Sequence, residues 1–140
     1  MSVREPRSSD AAAAPCPCGR PASLSACCGR WHEGPHHLQA PDAESLMRSR
    51  YAAYVLDRLD YLRETWHPDT RPADLGPNEP GLRWLGLEVR EHRVQDATHA
   101  TVRFVARSKL GGRAGRLSET SRFVHEGGRW FYVDGDVDGR

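Results

Sequence analysis

The stretch "HATVRFVAR" (residues 99–107) alternates between apolar and polar positions, and this alternation decides the fold prediction. Val102, Phe104 and Ala106 fall on one side of an extended chain, whereas most positions between them carry polar or charged side chains. A period of two residues is typical of a β-strand with one buried face. We therefore predict a strand here, with these three side chains directed into a core.

The segments on either side of this strand show the same period. Upstream, "RWLGLEVREHRV" (residues 83–94) predicts a strand with Leu85, Leu87 and Val89 on one face and Trp84 on the other. Downstream lie "RLSETSRFVHE" and "RWFYVD", separated by a Gly-Gly pair that is typical of a tight hairpin turn. The sequence after Leu82 thus predicts an antiparallel meander of at least four strands.

Helical patterns precede the strands. From Ala43 to about Leu56, apolar residues recur at spacings of three and four, and Asp42 can cap this helix. Asp57 is predicted to cap a second, shorter helix with Leu59, Leu62 and Trp66 facing inward. A proline-rich segment (67–81) separates helices from strands. This order of elements predicts the α+β class.

Composition excludes several classes of protein. Twenty basic and 19 acidic side chains leave a net charge of +1, which argues against a dedicated DNA-binding protein. No apolar segment is long enough for a secretory signal or a membrane span, so we expect a cytoplasmic protein without a membrane partner. In a reducing cytosol, clustered cysteines favour metal binding over disulfides.

All four cysteines lie in "CPCGRPASLSACC" (residues 16–28). Four thiolates that converge on one ion match the tetrahedral preference of structural Zn²⁺, and Gly19 allows a sharp turn after the first pair. His32 is an alternative fourth ligand to Cys28, a second-layer support, or a plain surface histidine. Such a closed site would fold the segment without catalysing a reaction. The predicted ligands are Cys16, Cys18, Cys27 and Cys28.

The spacing Cys-x-Cys-x8-Cys-Cys resembles the SEC-C zinc motif. Five further motifs, in the same order as in the YchJ family of small bacterial proteins, resemble that family. The motifs are "LMRSRYAAYV", "YLRETWHP", "WLGLEV", "ETSRF" and "WFYVDGD". The resemblance implies a SEC-C zinc segment followed by an NTF2-like cone, in which helices pack on a curved antiparallel sheet. We predict a disordered leader at 1–14, the zinc segment at 15–34 and the NTF2-like domain at 42–138.

The resemblance also carries expectations about function. SEC-C segments act elsewhere as contact modules for protein partners, which implies a protein-interaction adaptor. We expect its partner to be a protein, with a ribosome-associated partner as one option. NTF2-like domains often pair through their sheets, so a homodimer is left open. Two features depart from the family pattern. Gly19-Arg20-Pro21 replaces the usual Gly-Ser-Gly, and the sequence ends without the second SEC-C motif of many YchJ-like chains, so a function that needs two such motifs is not expected.

An NTF2-like cone often encloses a pocket, and this provides an alternative function in small-molecule binding or proton transfer. Glu119, Asp134 and His67 are the candidate acids or bases. If Glu119 faces inward it needs a partner, which Arg48, Arg50 or Arg122 could supply. A structural ion pair with Arg48 or Arg50 would be the simpler explanation. His67 could equally cap a helix, and the aromatic residues could be plain core. The predicted lining residues are Arg48, Arg50, Tyr51, Tyr54, Trp66, Trp84, Ser121 and Tyr132.

A cluster of arginines on the second and third predicted strands suggests a further alternative, contact with RNA or the ribosome. Few acidic residues lie close to this cluster in the sequence, which favours phosphate binding, but aromatic residues suited to base stacking are missing. The arginines are Arg103, Arg107, Arg113, Arg116 and Arg122. With no convincing catalytic set, we favour the zinc-stabilised adaptor over an enzyme.

Overall fold

The computed structural model describes residues 13–138. Residues 1–12 of the predicted leader (1–14) therefore lie outside the described residues. Within this range no helix is both long and apolar enough to cross a membrane. The helices are α1 (Gly29–His32), α2 (Ala43–Val55) and α3 (Leu59–Glu64), preceded by a 3₁₀ turn (Leu24–Ala26). The strands are β1 (Arg83–Val94), β2 (His99–Leu110), β3 (Arg113–Glu126) and β4 (Arg129–Val137).

The four strands form one antiparallel sheet in the order β1-β2-β3-β4. Two-residue turns, Gly111-Gly112 and Gly127-Gly128, join the last three strands. The predicted meander and the α+β order are therefore confirmed. Each strand pairs with its neighbour in the chain, which keeps the connections short.

The core lies between the sheet and the helices α2 and α3. Val102, Phe104 and Ala106 of β2 are all buried there, as their alternation predicts. Leu46 and Leu62 supply the opposing apolar surface from the two helices. Burial of these side chains holds the helices on one face of the sheet.

One of the two predicted helix caps is correct. The Asp42 carboxylate accepts a hydrogen bond from the Ser45 backbone N–H at 2.7 Å, which caps α2. Asp57 does not cap α3. It has a positive φ of 55°, which acidic and amide residues tolerate better than most, and its carboxylate accepts the N–H of Asn78 instead. Asp57 therefore turns the chain between the helices and holds the proline-rich segment.

A β-bulge near the start of β1 overturns the predicted faces of Leu85 and Trp84, whereas Leu87 and Val89 pack against the core as predicted. Trp84 pairs with Ser108 and Gly86 with Arg107, which leaves Leu85 as an extra residue. An extra residue inverts the alternation that precedes it. Leu85 is accordingly 53% exposed, while Trp84 turns inward and joins Leu87 at the core.

Candidate metal centre and internal cavity

The first two cysteines lie on a small loop that folds back on itself. The Cys16 N–H donates to the Ala22 carbonyl at 2.9 Å, and the Leu24 N–H donates to the Ala14 carbonyl at 2.8 Å. Gly19 reverses the chain with a φ of 94°, a conformation that glycine adopts without steric cost. The loop thereby brings its cysteines beside the pair that precedes α1.

The four sulfur atoms lie within 4.8 Å of one another. All four cysteines are buried and free, and Cys18 is 0% exposed. The Sγ atoms of Cys18 and Cys27 are 3.6 Å apart, much longer than a disulfide bond. Four thiol ligands at this spacing form the donor set of a closed tetrahedral metal site.

The thiols influence each other strongly. Hydrogen bonds from Cys16 and Cys28 lower the pKa of Cys18, whereas hydrogen bonding to Cys16 and Cys18, together with burial, raises the pKa of Cys28. Burial raises the pKa of Cys27 to about 11. Without a cation, the cluster therefore resists deprotonation of several of its thiols at once. A cation among the sulfurs would remove this resistance, since metal ligation requires thiolates.

His32 lies outside the group of converging ligand atoms. Its Nε2–H donates to the Ser49 carbonyl at 2.9 Å, and its ring packs edge-on against Tyr61. Burial lowers the pKa of His32, which favours the neutral ring. This histidine therefore joins the cysteine segment to helix α2 rather than completing the donor set.

The cysteine segment is fastened to α2 by polar contacts. The Arg48 guanidinium donates to the Cys18 carbonyl at 2.8 Å and to Glu44 at 2.9 Å. Arg20 of the cysteine loop reaches the same Glu44 carboxylate at 3.4 Å. Ala52 of α2 packs directly against the buried cysteines. If the fold of the cysteine segment depends on a metal ion, these contacts would make the packing around α2 depend on that ion as well.

A cavity of about 280 Å³ lies between α2 and the sheet. Its wall is mainly apolar and aromatic, and Arg50, Glu119 and Ser121 are its non-aromatic polar side chains. The remaining lining residues are Met47, Tyr51, Tyr54, Trp84, Phe104, Ala106, Leu117, Phe123 and Tyr132. The aromatic residues thus surround a space rather than filling it.

Glu119 faces this cavity, but no arginine pairs with it among the described residues. The Ser121 hydroxyl donates to its Oε2 at 2.8 Å, and the Tyr132 hydroxyl donates to the same atom at 3.3 Å. The predicted ion pair with Arg48 or Arg50 is therefore wrong. Hydroxyl groups hold the carboxylate instead. Burial, and after it the negative charge of Glu119, raises the pKa of Tyr132.

The other predicted pocket residues lie elsewhere. Arg48 belongs to the contact with the cysteine segment, and Trp66 packs edge-on against Tyr132 behind the cavity wall. His67 donates a hydrogen bond from its Nε2–H to the Glu126 carboxylate at 2.9 Å, in a separate surface cleft. It does not cap α3, whose C-cap is Thr65.

A bulge in β4 explains the position of Asp134. Arg122 pairs with Asp134 and Phe123 pairs with Tyr132, so Val133 is the extra residue of β4. The alternation is inverted there, and Asp134 forms an ion pair with the exposed Arg122 at 2.6 Å. Asp134 consequently does not line the cavity.

Sequence reasoning missed Gly135, which makes room for the Glu119 carboxylate. A Cβ atom at this position would overlap with the Glu119 carboxylate. The glycine therefore leaves the space in which that carboxylate accepts its two hydroxyl bonds. The signal was a glycine within a strand, which often marks a close approach of another group.

We expect Gly135→Ala to destabilise the protein by about 1–3 kcal/mol, because the displaced carboxylate loses its hydrogen bonds. In a Glu119→Ala background the same change should be neutral or slightly stabilising, since the overlap is gone. Urea unfolding of the four proteins in this double-mutant cycle measures the difference. An equal cost in both backgrounds would contradict the contact.

The predicted arginine cluster lies close to more acidic side chains than the local sequence indicates. Strand pairing and the end of the chain bring carboxylates to three of its five members, which reduces the local positive charge. RNA contact stays a prediction that this pairing makes less favourable. The ion pairs are Arg103 with Asp138, Arg107 with Glu88, and Arg122 with Asp134 and Asp136.

Fold and site together define a class: an NTF2-like domain that carries a tetra-cysteine segment at its amino-terminal side. Residues 42–135 match the family model described as YchJ, middle NTF2-like domain. UPF0225 proteins of Bordetella parapertussis and Methylibium petroleiphilum are 62% and 64% identical to this chain. These alignments cover 96% and 89% of the chain, and 99% and 89% of the relatives. The chain belongs to the YchJ (UPF0225) family.

Two solved structures are similar over most of the chain. The solution structure of a SEC-C motif containing protein from Rhodopseudomonas palustris has a TM-score of 0.75 at 31% identity, and covers 89% of this chain and 98% of its own. The crystal structure of a SEC-C motif containing protein from Psychrobacter arcticus has a TM-score of 0.74 at 26% identity, with coverages of 93% and 86%. The expected NTF2-like fold with a SEC-C segment is confirmed. The cysteine cluster and these neighbours together suggest metal binding.

Proposed function

We propose that this protein is a Zn²⁺-stabilised adaptor in which the SEC-C segment and the NTF2-like domain form one platform for a protein partner. The convergence of four buried sulfurs within 4.8 Å carries the proposal. The ligands are Cys16, Cys18, Cys27 and Cys28.

Zn²⁺ is the metal that suits this donor set best. Four thiolates in tetrahedral arrangement are typical of structural zinc, whereas magnesium and calcium prefer oxygen ligands. An iron–sulfur cluster uses the same ligand type, so the metal must be identified by measurement. Four protein ligands leave no coordination position for water or substrate, which favours a structural role over a catalytic one.

The adaptor role is supported by the way the segment joins the domain. Arg48 and Glu44 connect the cysteine loop to α2, so metal binding would set the position of the loop relative to the sheet. A partner that contacts both parts would then depend on the metal. A ribosome-associated protein is one such partner.

The test compares affinity-purified complexes of the wild type, Cys27→Ser and Ala26→Ser. Ala26 is the exposed neighbour of Cys27, so its substitution controls for a new hydroxyl without removing a ligand. We expect the same partners on the wild type and Ala26→Ser, and their loss from Cys27→Ser. Circular dichroism must show that the sheet remains folded in all three. A metal-free Cys27→Ser that keeps every partner would contradict the adaptor.

A second function, small-molecule binding in the cavity with Glu119 as a candidate acid or base, is favoured by one observation. The cavity has an apolar wall with a carboxylate and an arginine facing it, as ligand sites commonly do. Titration of small aromatic acids into the protein tests both this function and the class of ligand.

A further inference from the structure

Arg50 is a buried cation without a carboxylate partner. The side chain is 5% exposed, and it forms no ion pair with any carboxylate of residues 13–138. Its Nη1 donates to the Leu62 carbonyl at 2.9 Å and to Thr65 Oγ1 at 2.7 Å. Burial lowers the pKa of this guanidinium, but an arginine remains charged at any ordinary pH.

The rest of the Arg50 guanidinium packs against aromatic rings, but its remaining N–H groups lack hydrogen-bond acceptors among the described residues. Aromatic rings of Trp66 and Tyr132 stack against it, with centroids 4.9 and 4.4 Å from its central carbon. A guanidinium carries five N–H groups, and those at Nε and Nη2 have no hydrogen-bond partner within the described part of the chain. This edge is the fork that matches the two oxygens of a carboxylate. Arg50 also lines the cavity, so a ligand there can reach it.

Glu119 supplies an acceptor in the same cavity. Both hydroxyl bonds end on its Oε2, and Oε1 accepts no hydrogen bond from residues 13–138. A ligand hydroxyl could donate to this oxygen, whereas a second carboxylate placed there would be repelled. The two polar groups thus require opposite chemistry at two points of one ligand.

The size of the cavity limits the ligand further. Its volume of about 280 Å³ lies just below the usual range for ligand sites, about 300–1,000 Å³, which excludes nucleotides and large cofactors. The wall presents Trp84, Tyr54 and Phe104, which suit the faces and edges of an aromatic ring.

We propose that the cavity binds a compact aromatic carboxylic acid that carries a hydroxyl group, with the carboxylate on the Arg50 fork and the hydroxyl directed to Glu119. This inference rests on the second function proposed above and names its ligand class. Bound carboxylate would provide the anionic partner that buried Arg50 lacks.

The probes are 4-hydroxybenzoate, benzoate and the neutral 4-hydroxybenzamide, titrated into the full chain and followed by calorimetry. We expect 4-hydroxybenzoate to bind best and the amide to bind about ten- to a hundredfold more weakly, because it loses the charged hydrogen bonds. Benzoate should fall between them. The Arg50 Nε–H resonance should shift on addition of either acid, which locates the carboxylate.

Three variants locate the site. Arg50→Lys keeps the charge but loses the fork, and should weaken 4-hydroxybenzoate at least tenfold. Arg122→Lys is the matched control on the exposed side of the sheet and should bind like the wild type. Ala106→Leu fills the cavity without altering Arg50, and should abolish binding even if Arg50→Lys does not fold.

The outcomes separate the two levels of the proposal. If the amide binds as tightly as the acids, the cavity is a ligand site but the carboxylate class is wrong. If benzoate binds as tightly as 4-hydroxybenzoate, the role of Glu119 is wrong. If neither acids nor amide bind at millimolar concentration, or if Ala106→Leu leaves binding unchanged, the cavity itself is not the site.

Discussion

Replacing Cys18 by serine is expected to reduce the metal content of the purified protein from about one ion per chain to nearly none. Cys18 is fully buried among the other three sulfurs, so a hydroxyl in its place removes a thiolate that no neighbour can replace. Binding of structural Zn²⁺ is worth on the order of 10 kcal/mol, and this free energy becomes folding free energy for the segment. The segment should therefore lose its fold.

Metal analysis by plasma mass spectrometry gives the stoichiometry, and amide hydrogen exchange shows which backbone groups lose protection. Exchange should accelerate in the cysteine segment and in the first turns of α2, which Arg48 and Glu44 connect to it. Ser25→Ala, an exposed change in the same segment, should keep both the metal and the protection. A Cys18→Ser protein with a full complement of metal would contradict the site. So would reduced wild type without metal.

The second large effect is expected from Leu62→Ala, at about 2–5 kcal/mol of lost stability. Leu62 is 0% exposed and packs between α3 and the sheet, so its truncation leaves a cavity in the core. Leu85→Ala is chemically the same substitution at a position that is 53% exposed. It should change the free energy of unfolding by no more than about 0.5 kcal/mol.

Denaturant unfolding of both variants beside the wild type measures the difference. The pair also tests the bulge at Leu85, because uninterrupted alternation would bury Leu85 with Leu87 and make the two substitutions similarly costly. Similarly large losses of stability in Leu62→Ala and Leu85→Ala would therefore contradict the bulge. A small loss for both would contradict the packing of α3.

Most elements of the fold could be predicted from local pattern. The stripe along α2, the cap at Asp42 and the alternation of β2 each depend on residues close together in the chain. The cysteine cluster was equally accessible, because its four sulfurs lie in one short segment. In each case the neighbouring residues alone define the structure.

The errors concern partners and faces. Each bulge inserts one residue, which turned Trp84 inward and Asp134 outward against the prediction. Asp57 was expected to cap α3 but holds Asn78 of a distant segment. Glu119 was expected to need an arginine, but the adjacent strand supplies a tyrosine hydroxyl. These outcomes depend on groups that the local pattern does not contain.

Local sequence pattern specifies which segments become helices and strands, and it places four thiols close enough for one metal ion. These properties follow from side-chain periodicity and short loops, which act over a few residues. Packing in three dimensions sets which strand faces are buried at the bulges and which arginines pair with carboxylates. It also places Arg50 and Glu119 in one cavity without an ion pair between them. Those results depend on distances between residues far apart in the chain, which strand register and helix packing set.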